Sequence, residues 1–320
     1  MTDTVSPLVE PLAIMGPLTN LLQDDEVVEI SLNSDQKLWV SRFGSPSCEE
    51  GEWAATEAER MIRWCASRDD SVIDRNTPIA SMMLPCHPHR IEALLPPVVT
   101  SPVFSIRRHT DVPVDLESFS WAGDGERMRR NGLRPQLPGK PRHRARNSVD
   151  AGFVRRLLSV RKNLVIAGAT GSGKTTFANA CLRELARVAP TARVVLIEDT
   201  PELQSELPNT VYLRTSATVD QRRLLVSTLR LAPERIVVGE CRDGPAAMTL
   251  LRAWNTGHAG GITTVHANSA REVFARLDML CSEVAATSQE RLIRTVLDAV
   301  IFLDRDTERP VVREILEVSP

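Results

Sequence analysis

The chain has 320 residues, 42% of them apolar, and a formal net charge of −2. That length suits about two packed domains, and the near-balanced charge argues against a protein whose whole surface grips nucleic acid. No run approaches the roughly 18 apolar residues of a membrane span, the start Met1-Thr2-Asp3-Thr4-Val5-Ser6-Pro7 lacks a secretory signal's basic-then-apolar order, and six scattered cysteines without a C-x-x-C pair suggest neither a disulfide framework nor a zinc knuckle, so a cytosolic protein with reduced thiols is expected.

Residues 1–11 read as a tail and residues 12–122 as a small N-terminal α/β domain. Within it, residues 18–22 are helix-like, and 27–32 and 37–40 are strand candidates flanking the turn Asn33-Ser34-Asp35, which predicts hairpin-like pairing. Residues 57–67 repeat apolar side chains at helical spacing, while 91–95 and 103–107 are strands separated by Pro96-Pro97 and Pro102. Between them, Cys86-His87-Pro88-His89 reads as a loop, since adjacent ligands with no second cluster make a poor tetrahedral metal site. Residues 123–147 are rich in Gly, Pro and Arg (Arg127, Arg129, Arg130, Arg134, Lys140, Arg142, Arg144, Arg146), have almost no apolar periodicity, and read as a basic linker. Only Lys37, Lys140, Lys162 and Lys174 among the 39 basic side chains are lysines, so arginine abundance alone carries no functional weight.

From residue 148 to 320 strands and helices alternate. Helix 149–160 leads to strand 163–167, then come a helix to 188, strands 193–197 and 210–213, helix 219–231, strand 236–238, helix 246–254 and strand 262–265. Helices 270–280 and 289–297 and strands 300–303 and 310–318 complete the domain. Such alternation predicts a mostly parallel sheet covered on both faces, turning antiparallel at its end, with ligand loops at the strands' carboxyl ends.

Gly168-Ala169-Thr170-Gly171-Ser172-Gly173-Lys174-Thr175 is a complete G-x-x-x-x-G-K-[ST] run between a strand and a helix, with Thr176 following. Glycine permits the close backbone approach, the helix starting near Lys174 aims its positive end at an anion, Lys174 reaches the β/γ oxygens, and Thr175 is positioned to ligate Mg²⁺. ATP with Mg²⁺ is therefore the expected ligand. Strand 193–197 runs into Glu198-Asp199-Thr200-Pro201-Glu202, where Glu198 is the candidate to orient Mg²⁺, through water, or an attacking water. The apolar run Ile236-Val237-Val238 closes with Gly239-Glu240, making Glu240 the candidate general base or water-orienting group.

These motifs, with Gly239-Glu240-Cys241-Arg242-Asp243 and Gly260-Gly261-Ile262-Thr263-Thr264-Val265-His266-Ala267-Asn268, occur in the order seen in the type II and type IV secretion traffic ATPases, and the chain resembles that family. It is most similar to the Trb-type conjugal-transfer branch through Ala253-Trp254-Asn255-Thr256-Gly257-His258. The resemblance extends to Val28-Glu29-Ile30 with Leu38-Trp39-Val40, and to Leu95-Pro96-Pro97-Val98-Val99 with Phe104-Ser105-Ile106-Arg107. It implies a RecA-like P-loop core with a smaller N-terminal domain, nucleotide held between the two, and a hexameric ring at the cytoplasmic face of the inner membrane beside secretion or conjugation components. It also implies that His266 senses the γ-phosphate, that Arg242 contacts the nucleotide site or its neighbour, and that Arg107 or Arg108 supplies an arginine finger. The chain lacks the four-cysteine zinc insertion of many type II members. The basic residues 123–147 are a solvated linker on one reading and a contact for anionic lipid or DNA on another. Three functions compete: a motor for type IV secretion or conjugation, a RecA-like nucleic-acid translocase, and a nucleotide-gated ring scaffold. With 4% aromatics there is little stacking surface for single strands.

Overall fold

The computed structural model describes residues 14–42, 44–69, 71–87, 89–108, 113–122, 144–145, 150–216, 218–306 and 309–318. The chain divides into two units, Met1–Val112 and Pro113–Pro320.

In the first unit, helix α1 (Leu18–Leu21) precedes strands β1 (Val27–Leu32), β2 (Lys37–Arg42) and β3 (Cys48–Glu52), helix α2 (Ala55–Arg68), and strands β4 (Ile79–Met83), β5 (Arg90–Leu94) and β6 (Val103–Arg107). The strands form one antiparallel sheet in the order β3-β2-β1-β6-β5-β4. Alternation decides its faces: Ile30, Leu32, Leu38, Val40, Ile91, Ala93, Phe104 and Ile106 are buried in one cluster with Leu18 of α1 and Ala58, Met61, Ile62 and Cys65 of α2. The expected β1–β2 hairpin is present. Two strands were not legible. Strand β3 is Cys-Glu-Glu-Gly-Glu, exposed throughout, and is tied to β2 by Lys37–Glu49 and Arg42–Glu50 ion pairs of 2.8 and 2.5 Å rather than by apolar alternation. Strand β4 is defined by its pairing to β5.

The second unit begins before the boundary expected from the sequence. A 3₁₀ turn at Leu116–Ser118 leads to β7 (Ser120–Trp121), which pairs parallel to β15 (Arg309–Glu317), so Pro113–Ala122 belongs with this unit and not with the first. The physical reason is aromatic burial: Phe119 and Trp121 meet the Phe177 ring edge-on at centroid distances of 4.9 and 6.1 Å. The tail 1–11 and most of the expected linker lie outside the described residues. Within 123–147, Arg144–Ala145 is not linker but strand β8, antiparallel to Glu317 and Leu316.

The remaining elements are α3 (Ala151–Ser159), β9 (Leu164–Gly168), α4 (Lys174–Val188), β10 (Val194–Glu198), β11 (Thr210–Arg214), α5 (Gln221–Thr228), β12 (Arg235–Val238), α6 (Gly244–Asn255), β13 (Ile262–His266), α7 (Glu272–Cys281), α8 (Glu290–Val296) and β14 (Ala299–Asp306). The sheet order is β11-β10-β12-β13-β9-β14-β15-β7. It is parallel from β11 to β14 and turns antiparallel at β14–β15, as the sequence predicts. Strands β9, β10 and β12 are buried at every position because helices cover both faces. Leu164 and Ile166 face a core with α3 and α4, whereas Val165 and Ala167 face one with α5, α6, α7 and α8. Three helices start on aspartate caps: Asp150, Asp220 and Asp243 accept from the N–H of Phe153, Arg223 and Ala246 at 2.7, 2.7 and 2.8 Å. This is a RecA-like α/β core with a smaller N-terminal α/β domain. Among the described residues no helix is long and apolar enough to cross a membrane.

Candidate active site

The carboxyl ends of β9, β10, β12 and β13 converge at one edge of the sheet, where α/β proteins hold ligands. Strand β9 delivers Gly168, and parallel register sets His266 of β13 directly beside it. The chain then turns through the exposed crest Ala169-Thr170-Gly171 into α4 at Lys174. Gly171 and Gly173 have φ of +75° and +87°, and a Cβ at Gly173 would come within 2.7 Å of Pro310 Cγ, so glycine is required there on both counts. Ser172 is buried, and its Oγ has no hydrogen-bond partner among the described residues. Thr176 is exposed on the first turn of α4. A glycine-shaped crest, the start of a helix and a lysine beneath them fit a polyphosphate.

Lys174, 8% exposed, donates to the carbonyls of Gly168 (3.1 Å) and Ala169 (2.8 Å) and lies 3.3 Å from His266 Nδ1. On the other side of the ring, His266 Nε2 is 2.6 Å from Glu240 Oε1. The partners assign the tautomer: Nε2–H donates to the carboxylate, leaving the Nδ1 lone pair to accept from the ammonium. Burial, then the Lys174 charge, hold the ring's proton affinity below the ordinary histidine range, against the pull of Glu240. Since the unfolded chain takes up this proton first as pH falls through the ordinary range, the contribution to stability is lost on acidification and regained as pH rises.

Glu240 Oε2 accepts from Arg242 Nε (2.8 Å) and Nη2 (2.7 Å), and Arg242 Nη1 lies 3.4 Å from Asp199 Oδ2. Asp199 is in turn held by Thr215 Oγ1 at 3.0 Å. The backbone around Glu240 is fixed by Gln221 Nε2 donating to its carbonyl (2.9 Å), by Thr264 Oγ1 donating to Gly239 O (2.7 Å), and by Gly239 N donating to Ile197 O (2.8 Å). The structure thus brings Lys174, His266, Glu240 and Arg242 into one continuous chain of contacts.

Glu198 does not join them. Its Oε2 accepts from the N–H groups of Glu202 and Leu203, both at 2.9 Å, closing the turn after β10, and burial raises its proton affinity against those two bonds. The carboxylate at the phosphate loop is instead Glu202, whose Oε2 accepts from Thr175 Oγ1 at 3.1 Å. The sequence marks a bend there, with Pro201 after Asp199-Thr200, but not which way the acid beyond it faces. The Thr175 hydroxyl and the Glu202 carboxylate are hard oxygen donors of the type Mg²⁺ takes.

A second residue not singled out from the sequence is Arg276 on α7. With Glu240, Cys241, Arg242 and His266 it lines a cavity of about 210 Å³. Helical spacing held the clue, because Arg276 lies three and four residues from buried Val273 and Leu280, at the edge of the core-facing stripe. Cys241 is no nucleophile, burial pushing its thiol up to about 12. In the first unit, Arg108 donates to the carbonyls of Asp24 and Val27 and pairs with Asp25, which commits it to the β1 approach. Arg107 is exposed at the end of β6, directly opposite Arg90 of β5.

The type II/IV secretion system protein family matches residues 145–306. "Probable conjugal transfer protein TrbB" of Sinorhizobium fredii is 41% identical over 307 residues, covering 96% of this chain and 88% of that one. The chain belongs to the type II/IV secretion system protein family. "Type IV secretion system protein VirB11" of Bartonella quintana is 30% identical, covering 85% of this chain and 81% of its own. Among solved structures, the pilus retraction motor PilT with bound ADP superposes with a TM-score of 0.64 at 16% identity, over 96% of this chain and 83% of that one. The ATPase DotB of Legionella pneumophila gives 0.57 at 17%, over 97% and 80%. At that identity both support the fold alone. The family match contains Lys174, Thr175, Glu202, Glu240, Arg242, His266 and Arg276, while Arg107 and Arg108 fall outside it.

Proposed function

We propose that this secretion-family protein is an ATP-hydrolysing motor that powers assembly or substrate transfer in a type IV secretion or conjugation apparatus. The observation that carries the reading is the unbroken contact chain from Lys174 through His266 to Glu240 and Arg242, set beside the Thr175–Glu202 contact. The loop Gly168–Thr175 with Thr176 holds the phosphates by backbone N–H groups and Lys174. Mg²⁺, bound by Thr175 and Glu202, would supply charge neutralisation at the β/γ oxygens. Glu240 orients the attacking water and takes its proton, His266 Nε2–H and Arg242 fix the carboxylate, and the imidazole couples that carboxylate to the lysine on the γ-phosphate. A base already shared between His266 and Arg242 is a preorganised but modest proton acceptor, consistent with a motor that waits for its track. Arg107, exposed where Arg108 is committed, is the candidate finger completing a neighbour's site in a homo-oligomeric ring. The ring works at the inner face of the inner membrane beside secretion components.

The test is light scattering with and without Mg-ATP, paired with steady-state phosphate release with and without single-stranded DNA. A ring of about six subunits with modest, DNA-independent turnover supports the motor. A monomer or dimer whose turnover climbs steeply with DNA makes it a nucleic-acid translocase, and a ring without turnover makes it a nucleotide-gated scaffold. In the same assay Lys174→Ala loses nucleotide affinity and turnover together, whereas Glu240→Gln keeps ATP and turns over about 10²-fold more slowly.

A further inference from the structure

We infer that the cavity lined by Glu240, Cys241, Arg242, His266 and Arg276 is a holding site for inorganic phosphate, with Arg276 as its principal cation. The inference rests on the ATPase reading and extends it past bond cleavage, to where the product goes. Among the described residues, none of the phosphate loop lines this cavity. The His266 ring is the wall between the two spaces, since one nitrogen faces the loop lysine at 3.3 Å and the other faces Glu240 at 2.6 Å. A phosphate leaving Lys174 therefore has the cavity one imidazole width away.

Charge distinguishes the two arginines. Arg242 is neutralised by Glu240 at 2.7 Å and by Asp199 at 3.4 Å. Arg276 has no hydrogen bond or ion pair among the described residues, yet its positive field reaches the His266 ring and the Cys241 thiol. Among the residues lining the cavity, Arg276 is thus the guanidinium that no carboxylate neutralises, and the imidazole beside it is neutral, which suits an anion. An unpaired, half-buried guanidinium offers planar N–H donors matched to phosphate oxygens. Glu240, having taken the water's proton, faces the same space and can return that proton to a phosphate oxygen, so the released species is a protonated phosphate and the carboxylate is regenerated for the next cycle. A volume of about 210 Å³ is ample for one phosphate with water.

The experiment is isothermal titration of inorganic phosphate into the full-length protein saturated with ADP, which occupies the phosphate loop. Wild type should bind one phosphate per subunit. Arg276→Gln should weaken it about 10-fold or more, as loss of a charge-assisted hydrogen bond does, with ADP affinity changed less than about 2-fold. Arg276→Lys should restore part of the loss. Arg271→Gln, which removes an exposed charge from the adjoining turn outside the cavity, should bind phosphate as wild type does. Unchanged phosphate affinity in Arg276→Gln, an equal loss in Arg271→Gln, or no phosphate binding by the ADP-loaded wild type overturns the site. Failure of wild type to bind ADP would instead sink the nucleotide reading itself. Should Arg276→Gln not fold, Arg276→Lys against Arg271→Gln decides, because only a cavity cation is sensitive to exchanging a planar fork for a point charge.

Discussion

The division of labour between Glu198 and Glu202 is the sharpest residue-level result. Both acids lie in one pentapeptide, and only geometry separates them: Glu198 spends an oxygen on two backbone N–H groups, while Glu202 meets the Thr175 hydroxyl. Glu202→Gln should therefore lower Mg²⁺-dependent phosphate release by about 10²-fold. In Glu198→Gln the amide oxygen still accepts from Glu202 and Leu203, so most of the turnover should remain. Phosphate release measured across a Mg²⁺ titration separates them, and equal loss in both variants would return the metal to Glu198. What the sequence exposed at this scale was residue type at a motif position, which found Lys174, Glu240, Arg242 and His266. It could not expose direction after a turn, which hid Glu202, nor a cation from another helix, which hid Arg276.

At the scale of elements, Asp243 shows how a strand end becomes a site. Its carboxylate accepts from Ala246 N at 2.8 Å, capping α6 from a position three residues after Glu240 and fixing the turn that carries Cys241 and Arg242. Asp243→Ala should cost about 1 kcal/mol in denaturant unfolding, with turnover falling further than nucleotide affinity, because the loosened turn holds the Glu240–Arg242 pair and not the phosphate loop. Equal stability in the variant would show that the cap is redundant with Pro245 in the first turn. The parallel strands were legible as short apolar runs because they are buried on both faces, and the helices between them by apolar spacing, whereas their aspartate caps at Asp150, Asp220 and Asp243 were not read as helix starts. Strand β3 was not, since nothing apolar marks an exposed acidic strand whose partner is set by ion pairs across β2. Segment 113–122 was assigned to the wrong unit for a related reason: its short strand is defined by Val311 and Val312, some 190 residues on, a pairing that local pattern cannot carry.

At the scale of the whole molecule, the proposed ring needs a group from a neighbour to finish each site. Arg107→Ala protein should keep nucleotide and lose turnover, and Lys174→Ala protein should lose both. Mixed and co-assembled, the two should recover part of the wild-type rate, because a Lys174→Ala subunit still offers Arg107 to the intact loop beside it. No recovery, with mixed assemblies verified by native mass spectrometry, would mean that Arg107 acts within its own subunit or not at all.

The meeting of Phe119, Trp121 and Phe177 has a mechanical reading. Phe177 sits three residues into the helix that begins at Lys174, and its ring is clasped by two aromatics from the stretch by which the chain passes into the second unit. The helix cannot slide along its axis without towing that stretch or opening a void behind it, and close-packed cores resist voids. Whatever shift that helix makes is therefore shared with Phe119 and Trp121 through one phenyl ring, so that the opening strand of the second unit travels with the helix that carries the loop lysine.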